Sequence, residues 1–122
     1  QNGKNGYEAG SVKTACYFYV SKERFEMCLF ANVQRYFTMK VNSLTAKDGK
    51  FQSEVYEAMR RFKKQDWGDI SEADTESNNE AVKNCGMVLG AYDTSQGRIW
   101  IIAESSNGYE YDRMTVLFPD EY

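Results

Sequence analysis

The residues whose types and spacing could do chemistry lie mainly in the acidic stretch between positions 66 and 80. Carboxylates at this density could bind a metal ion, imitate nucleic-acid phosphates, which follow at about one charge per 1.7 Å of duplex, or dock a basic partner. Residues three and four apart share a helix face, so Asp69, Glu72 and Glu76 are expected to form one stripe. The structural alternative to a binding site is the solvent-exposed start of a helix, where the helix dipole favours Asp and Glu. The carboxylates are Asp66, Asp69, Glu72, Asp74, Glu76 and Glu80.

A second candidate contact surface is the aromatic and acidic segment after Gly108. Tyr109 and Tyr111 alternate there with acidic residues. Exposed tyrosines bring a large contact area at low entropic cost, which favours a binding loop, and the structural alternative is a plain hairpin end. The predicted partner-binding residues are therefore Asp66, Asp69, Glu72, Asp74, Glu76, Tyr109 and Tyr111.

A basic segment precedes the acidic stretch. Arg60, Arg61, Lys63 and Lys64 surround a phenylalanine, a pattern that could grip phosphates of a nucleic acid. The structural alternative is the last turn of a helix, where cations complement the helix dipole, paired to the acidic loop that follows. The net charge of −3 argues against a large DNA-binding surface.

Charge is divided unevenly along the chain. Residues 1–64 hold twelve Lys/Arg against six Asp/Glu, whereas residues 65–122 hold three against twelve. Such an asymmetry predicts that one face meets a charged partner.

The composition excludes several classes of catalytic site. The chain has no histidine, which removes Ser-His-Asp and Cys-His nucleophilic catalysis and histidine-ligated metals. Cys16, Cys28 and Cys85 are odd in number and form no CxxC pair, so neither a disulfide framework nor a zinc site is predicted. We expect free thiols in the reducing cytoplasm, no cofactor and no metal. No carboxylate pair stands out for glycosidase chemistry, so an enzyme is not the first prediction.

Length and hydropathy predict one domain. The 122 residues suit a single core, placed here at residues 11–122, behind a polar, glycine-rich arm at residues 1–10. The arm does not resemble a signal peptide and lacks an initiating Met, so we expect a trimmed or tagged product. No apolar stretch approaches the roughly 18 residues that span a bilayer.

Hydrophobic periodicity predicts an α+β fold, with a small antiparallel sheet of three to four strands and about three helices packed on one of its faces. Trp67 and Trp100 are predicted in the core, and the apolar strand 99–102 at the centre of the sheet. Gly86 is predicted to end the third helix in a left-handed conformation. The predicted elements are a strand at 12–20, a helix from Ser21 to about Met39, a turn at 45–50, a helix at 51–64, a helix from Ser71 to about Asn84, strands at 87–92 and 98–103 around a hairpin loop at 93–97, and a strand at 113–118.

Several motifs in the second half recur together in one known group of proteins. They are Asp66-Trp67-Gly68-Asp69, then Ile99-Trp100-Ile101-Ile102-Ala103-Glu104, Asp112-Arg113, Thr115 and Leu117-Phe118-Pro119-Asp120-Glu121-Tyr122. This pattern resembles a family of short uncharacterised proteins carried on plasmids, phages and conjugative elements of Gram-positive bacteria. The resemblance covers about residues 65–122 and implies a mobile-element accessory protein without a known reaction. The chain departs from the family pattern in a longer segment before Asp66 and an insertion at Ser105–Tyr111.

Three hypotheses follow. The first is a non-enzymatic protein that binds a basic, nucleic-acid-handling host protein, such as an anti-restriction or anti-CRISPR inhibitor. The second is a small enzyme or ligand-binding domain with its site between the sheet and the Asp66–Asp69 turn, which buried, paired carboxylates would favour. The third is a nucleic-acid-binding accessory protein that uses the basic segment, with affinity that falls steeply with salt.

Overall fold

The computed structural model of the chain describes residues 29–122. The predicted arm at 1–10, the predicted strand at 12–20 and the start of the predicted helix at Ser21 lie outside the described residues. No helix within 29–122 is long and apolar enough to cross a bilayer.

Within these residues the chain forms a four-stranded sheet with three α-helices, which confirms the α+β fold. The strand order is β1-β4-β3-β2, with β2, β3 and β4 antiparallel. The elements are β1 (Gln34–Phe37), α1 (Met39–Lys47), α2 (Gly49–Lys63), α3 (Glu72–Ala81), β2 (Val88–Thr94), β3 (Gly97–Glu104) and β4 (Arg113–Leu117), with 3-10 turns at Val82–Asn84 and Pro119–Glu121.

The sheet is mixed, so the prediction of a purely antiparallel sheet is wrong for β1. This strand runs parallel to β4, in register from Gln34 opposite Arg113 to Phe37 opposite Val116. Parallel neighbours need a long crossover connection, and α1, α2, α3 and the β2–β3 hairpin supply it.

The prediction that the helix from Ser21 continues to about Met39 is wrong over residues 34–37. Val33, Tyr36 and Phe37 have helical spacing, but Gln34–Phe37 is a strand. The ladder to β4 decides the conformation of this aromatic segment, since strand preference depends strongly on tertiary pairing. The α1 helix begins only at Met39.

The predicted turn at 45–50 is reduced to one residue. Asp48 alone separates α1 from α2 and is the N-cap of α2. Its Oδ1 accepts hydrogen bonds from the backbone N–H groups of Lys50 at 3.0 Å and Phe51 at 3.2 Å. These bonds satisfy donors that a helix start leaves open, so a second helix begins without a longer loop.

The second helix carries the predicted apolar stripe and lies over one face of the sheet. Phe51, Val55, Met59 and Phe62 are all buried. They pack against every second side chain of the strands. Successive side chains in a strand point to opposite faces, so only alternate residues face α2. That face of the sheet comprises Val88 and Tyr92 of β2, Ile99, Ile101 and Ala103 of β3, and Met114 and Val116 of β4.

The β2–β3 hairpin is confirmed, with a shorter loop than predicted. Only Ser95 and Gln96 connect the strands, and Gly97 has a φ of 109°. The strand β3 is internal to the sheet, as predicted. Trp100, however, is half-buried on the face opposite α2, where its ring meets the edge of Tyr122 at 5.8 Å, so its predicted place in the core is wrong.

The end of α3 differs from the prediction by one residue. Cys85, with a φ of 57°, takes the left-handed conformation that was predicted for Gly86. The backbone N–H of Gly86 then donates to the carbonyl of Ala81 at 2.9 Å. A Cβ on Gly86 would lie 3.3 Å from the Ala81 Cβ, so this position needs a small residue for close packing.

Candidate functional site

The Asp66–Asp69 segment lies along the outer edge of β2. The backbone N–H of Asp69 donates to the Ala91 carbonyl at 2.8 Å, and the N–H of Ala91 donates to the Trp67 carbonyl at 3.0 Å. Gly68, with a φ of 79°, sits between these bonds and forms a parallel bridge with Ala91. The segment therefore extends the sheet by a single parallel β-bridge at the edge of β2.

Side chains fill the space between this segment and the sheet. Trp67 is 3% exposed, as its predicted core position requires, and its ring meets the edge of Phe62 at 5.1 Å. The hydroxyl of Tyr92 donates to the Asp66 carbonyl at 2.6 Å. The second hypothesis places a ligand site between this segment and the sheet, where Trp67 and Tyr92 are both buried.

Arginines hold the two carboxylates of this segment. Arg61 donates to both oxygens of Asp66, at 2.7 and 3.2 Å. The Arg61 hydrogen bond is the main reason that the pKa of Asp66 lies below its ordinary value. Arg98 contacts the carboxylate of Asp69 and donates to Asp93 at 3.0 Å. The structural interpretation of the basic segment, a helix end paired to the acidic loop, is confirmed for Arg61.

The rest of the basic segment is distributed around the end of α2. Arg60 donates to Glu57 at 3.0 Å from Nε and at 2.5 Å from its terminal nitrogen. Lys63 is the last residue of α2 and Lys64 is its C-cap. Arg60 and Arg61 are therefore held by carboxylates of the described chain, which leaves less charge for phosphates than the sequence pattern indicated.

Amide side chains attach α3 to the sheet. Ser71 is its N-cap, as predicted, and accepts from the backbone N–H of Asp74 at 3.0 Å. Asn78 is buried, donates to the Leu89 carbonyl at 2.9 Å and accepts from the Leu89 N–H at 3.4 Å. Asn79 accepts from the Trp67 indole at 2.9 Å. Asn79 belongs to the residues on which the family resemblance rests, but the sequence predicted a structural role for neither asparagine. Their spacing from Thr75 and Val82 on one helix face was the available clue.

The carboxylates of α3 differ in their position around the helix. At about 100° per residue, Glu76 and Glu72 lie about 160° and 120° from Asn78, whereas Asp74 lies only about 40° from it. Glu72, Asp74 and Glu76 are all exposed and form no ion pair with a cation of the described chain. Asp69 precedes the helix and contacts Arg98, so the predicted stripe of Asp69, Glu72 and Glu76 is wrong in its first member.

The two predicted tyrosine contacts differ in exposure. Tyr111 is 1% exposed, its hydroxyl donates to the Gly86 carbonyl at 2.6 Å, and its ring stacks on Phe30 at 5.0 Å. The expectation that Tyr111 faces solvent is therefore wrong. Tyr109 is 77% exposed. The oxygen of Asn107 accepts from the Tyr109 N–H at 2.8 Å, which holds the loop that presents the ring.

Asp69 and Tyr109 lie near opposite ends of β3. Asp69 contacts Arg98, near the first residue of β3, whereas the Tyr109 loop follows the last residue of that strand. The eight residues of β3 extend over about 25 Å at about 3.3 Å per residue. The α3 helix, in contrast, runs along β2 to Leu89, which pairs with Ile102 near the end of β3 that leads into the Tyr109 loop.

Two features of the described residues bear on metal binding and on acid–base chemistry. Residues 29–122 contain no group of three or more His, Cys, Asp or Glu positioned to hold a metal ion. The carboxylates whose pKa values are shifted all have them lowered, by hydrogen bonds at the surface, a change that favours the charged form. These residues are Asp48, Glu54, Glu57, Asp66, Asp112 and Glu121.

Comparisons of the chain with protein-family models, with curated proteins and with solved structures find no match. No activity is therefore transferred to this chain from a relative.

Proposed function

We propose that this protein is a non-enzymatic accessory protein of a mobile genetic element that binds a basic, nucleic-acid-handling host protein in the cytoplasm. Its primary contact surface is the exposed part of α3, with Glu72 and Glu76 on one face of the helix and Asp74 on the other. An anti-restriction or anti-CRISPR inhibitor is the specific form of this proposal, motivated by the motif pattern of the second half of the chain.

The observation that carries the proposal is the difference between two groups of carboxylates. Asp66 and Asp69 are engaged by arginines of their own chain. Glu72, Asp74 and Glu76 are exposed and have no such partner in the described chain. A negative surface that the protein does not neutralise itself is suited to steer and orient a positively charged partner.

The attachment of α3 suits a contact element. Only Asn78 is buried among the ten residues of the helix, so most of its surface faces outward. The hydrogen bonds of Asn78 and Asn79 nevertheless anchor the helix to β2 and to Trp67. A rigid support lowers the ordering cost of binding, which supports a docking role for the helix.

Tyr109 belongs to a separate contact in this proposal. Its exposed ring is held by a loop with side-chain hydrogen bonds, so it can bury area against a partner with little loss of entropy. The second half of α3 lies toward the same end of the sheet as the Tyr109 loop, since Asn78 bonds to Leu89, which pairs with Ile102 of β3. Tyr111 has no part in it because its side chain is buried.

The test uses a triple variant that removes charge and keeps shape: Glu72→Gln, Asp74→Asn and Glu76→Gln. The matched control neutralises three exposed carboxylates elsewhere: Glu57→Gln, Asp93→Asn and Asp120→Asn. Both variants change the net charge equally. Tagged wild-type protein and both variants are incubated with host lysate, with and without nuclease, and the captured proteins are identified by mass spectrometry.

We expect one nuclease-resistant protein, captured by wild type and control and lost from the α3 variant. The purified partner should then show at least tenfold weaker binding to the α3 variant, with a difference that shrinks as salt rises. Equal capture by all three proteins would reject the α3 surface. Capture that nuclease removes would instead support the nucleic-acid-binding alternative through Arg60, Arg61, Lys63 and Lys64.

A further inference from the structure

One arginine differs from the others in the described part of the chain. Between residues 29 and 122 there are five arginines, and four of them pair with a carboxylate: Arg60, Arg61, Arg98 and Arg113. Arg35 makes no ion pair with any described carboxylate. Since a guanidinium is always charged and readily finds an acidic partner, an exposed one without a partner is available to an external anion.

Arg35 lines a cleft at the edge of the sheet. The cleft has a volume of about 310 Å³ and is lined, among the described residues, by Arg35, Phe37, Asn42 and Tyr56. Arg35 and Phe37 are paired with Met114 and Val116, so both extend to the sheet face that the helices cover. Because β1 lies at the margin of that face, the Arg35 side chain is exposed while Val116 is buried.

The segment that contains the cleft residues is rich in cations. Residues 29–64 hold eight Lys/Arg and three carboxylates. Each of the three carboxylates has a hydrogen-bond partner other than Arg35: Asp48 accepts from the Gln96 side chain at 2.8 Å, Glu54 accepts from the Ser95 hydroxyl at 2.7 Å, and Glu57 accepts from Arg60 at 3.0 Å. None of them forms an ion pair with Arg35.

A second depression in the same region shows the contrast. Met39, Lys40, Ser43, Leu44 and Glu121 line it. Its cation, Lys40, lies 3.7 Å from Asp120 and also stacks over the Phe118 ring at 4.6 Å. The charge there is balanced within the protein, so this depression lacks the feature that distinguishes the Arg35 cleft.

We infer that the cleft at Arg35 is a binding site for a small anion that carries a planar ring. The guanidinium would hold a phosphate or carboxylate in a two-pronged hydrogen bond. The ring would lie against Tyr56, which is 50% exposed, or Phe37. The Asn42 amide supplies a donor and an acceptor for ring substituents. The cleft volume is at the lower end of the range for small-molecule sites.

This site is independent of the acidic surface of α3. Arg35 and Asn42 belong to β1 and α1, next to β4, whereas α3 lies along β2 at the opposite edge of the four-stranded sheet. A protein partner on α3 and a small anion at Arg35 could therefore be present together, and failure of one proposal leaves the other standing.

The test titrates 15N-labelled full-length protein with phenyl phosphate, adenosine monophosphate, benzoate and inorganic phosphate, followed by amide chemical shifts. The variants are Arg35→Gln and Tyr56→Leu, with Arg113→Gln as the matched control. Arg113 is an exposed arginine on the neighbouring strand, opposite Gln34 and on the other face of the sheet. Thermal unfolding of each variant checks that the fold is kept.

We expect shifts at Arg35, Asn42 and Tyr56 with at least one ring-bearing anion, at a dissociation constant of about 1 mM or tighter, as for a fragment of about ten non-hydrogen atoms. Arg35→Gln should weaken binding at least about tenfold, Tyr56→Leu several-fold, and Arg113→Gln not at all. Preference for adenosine monophosphate would indicate a nucleotide, and preference for benzoate a carboxylate metabolite. No shifts up to about 10 mM, equal binding by Arg35→Gln, or equal affinity for inorganic phosphate would each overturn the inference.

Discussion

The indole Nε1–H of Trp67 donates a 2.9 Å hydrogen bond to the side-chain oxygen of Asn79. The indole is buried, so its donor needs a partner inside the protein. The bond connects the Asp66–Asp69 segment, which extends the edge of β2, to the helix that carries the exposed carboxylates. The hydrogen bond therefore fixes the Asp66–Asp69 segment and α3 relative to each other, although Trp67 and Asn79 are twelve residues apart in the sequence.

Replacing Asn79 by Ala should therefore destabilise the protein by about 1–3 kcal/mol, because the buried indole donor loses its acceptor. Chemical denaturation followed by tryptophan fluorescence measures the free energy of unfolding. Ser77→Ala, at an exposed position of the same helix, is the matched control for helix propensity and should change stability little. An Asn79→Ala variant as stable as Ser77→Ala would contradict a role for this bond.

Gly68 offers a test of the close approach to β2. Gly68 and Gly108 have nearly the same φ, 79° and 80°. A Cβ added to Gly68 would lie 2.0 Å from the Ala91 carbonyl oxygen, whereas a Cβ added to Gly108 would have no atom within 4 Å. We expect Gly108→Ala to cost about 1–2 kcal/mol from backbone strain alone. Gly68→Ala should cost about 2 kcal/mol more, because the added methyl group must displace the bridge to β2. Equal losses in denaturation would show that space at Gly68 is not limiting.

The buried hydroxyl of Tyr111 provides a third prediction. Tyr111→Phe should lower stability by about 1 kcal/mol, since the Gly86 carbonyl loses its donor. Tyr109→Phe changes an exposed ring in the same loop and should have no measurable effect. Thermal unfolding of both variants distinguishes the two environments. A larger effect at Tyr109 would mean that the roles of the two tyrosines are reversed.

Alkaline pH should destabilise the protein through Tyr92 and Tyr111. Burial raises the pKa of both phenols above the ordinary value of 10.0. The unfolded chain therefore loses these protons first, so their contribution to stability is complete below about pH 10 and is lost as pH rises further. The free energy of unfolding, measured by urea denaturation between pH 8 and pH 11, should fall less steeply in Tyr111→Phe than in wild type. Parallel curves would contradict the raised pKa of Tyr111.

Acid should weaken the pair of Arg61 and Asp66. The Arg61 hydrogen bond lowers the pKa of Asp66 in the folded protein. Its stabilisation is therefore present above the unfolded pKa of about 3.9 and is lost as pH falls through the lower folded value. Half-exposed pairs contribute little, so Asp66→Asn should cost below about 1 kcal/mol at neutral pH and reduce the acid dependence of unfolding. In an Arg61→Gln background the same substitution should have a much smaller effect, and equal effects in both backgrounds would exclude the coupling.

Local patterns predicted those elements whose determinants lie within a few residues. The apolar stripe of α2, the Ser71 cap and the hairpin around Ser95 were all read correctly, because each depends on spacing or capping chemistry close in sequence. The pairing of Arg61 with the acidic loop was foreseen for the same reason, since its partner is five residues away.

The errors fall where distant residues decide the outcome. Gln34–Phe37 has helical spacing, but its pairing with β4, almost eighty residues later, makes it a strand. The sequence around Tyr111 predicts an exposed polar loop, but the side chain is buried by contact with Phe30 and Gly86. Trp100 sits among apolar neighbours, but strand alternation directs it to the face opposite α2.

By itself, the sequence determined the α+β class, the order of the described elements after α1 and the concentration of negative charge in the second half. Only the tertiary structure decided which carboxylates form ion pairs, that Tyr109 is exposed while Tyr111 is buried, and that Arg35 lines a cleft. The physical reason is that local propensities and capping act over one or two turns, whereas burial and charge pairing depend on which distant segments meet. A functional surface consists of the groups that remain exposed after distant segments have packed together.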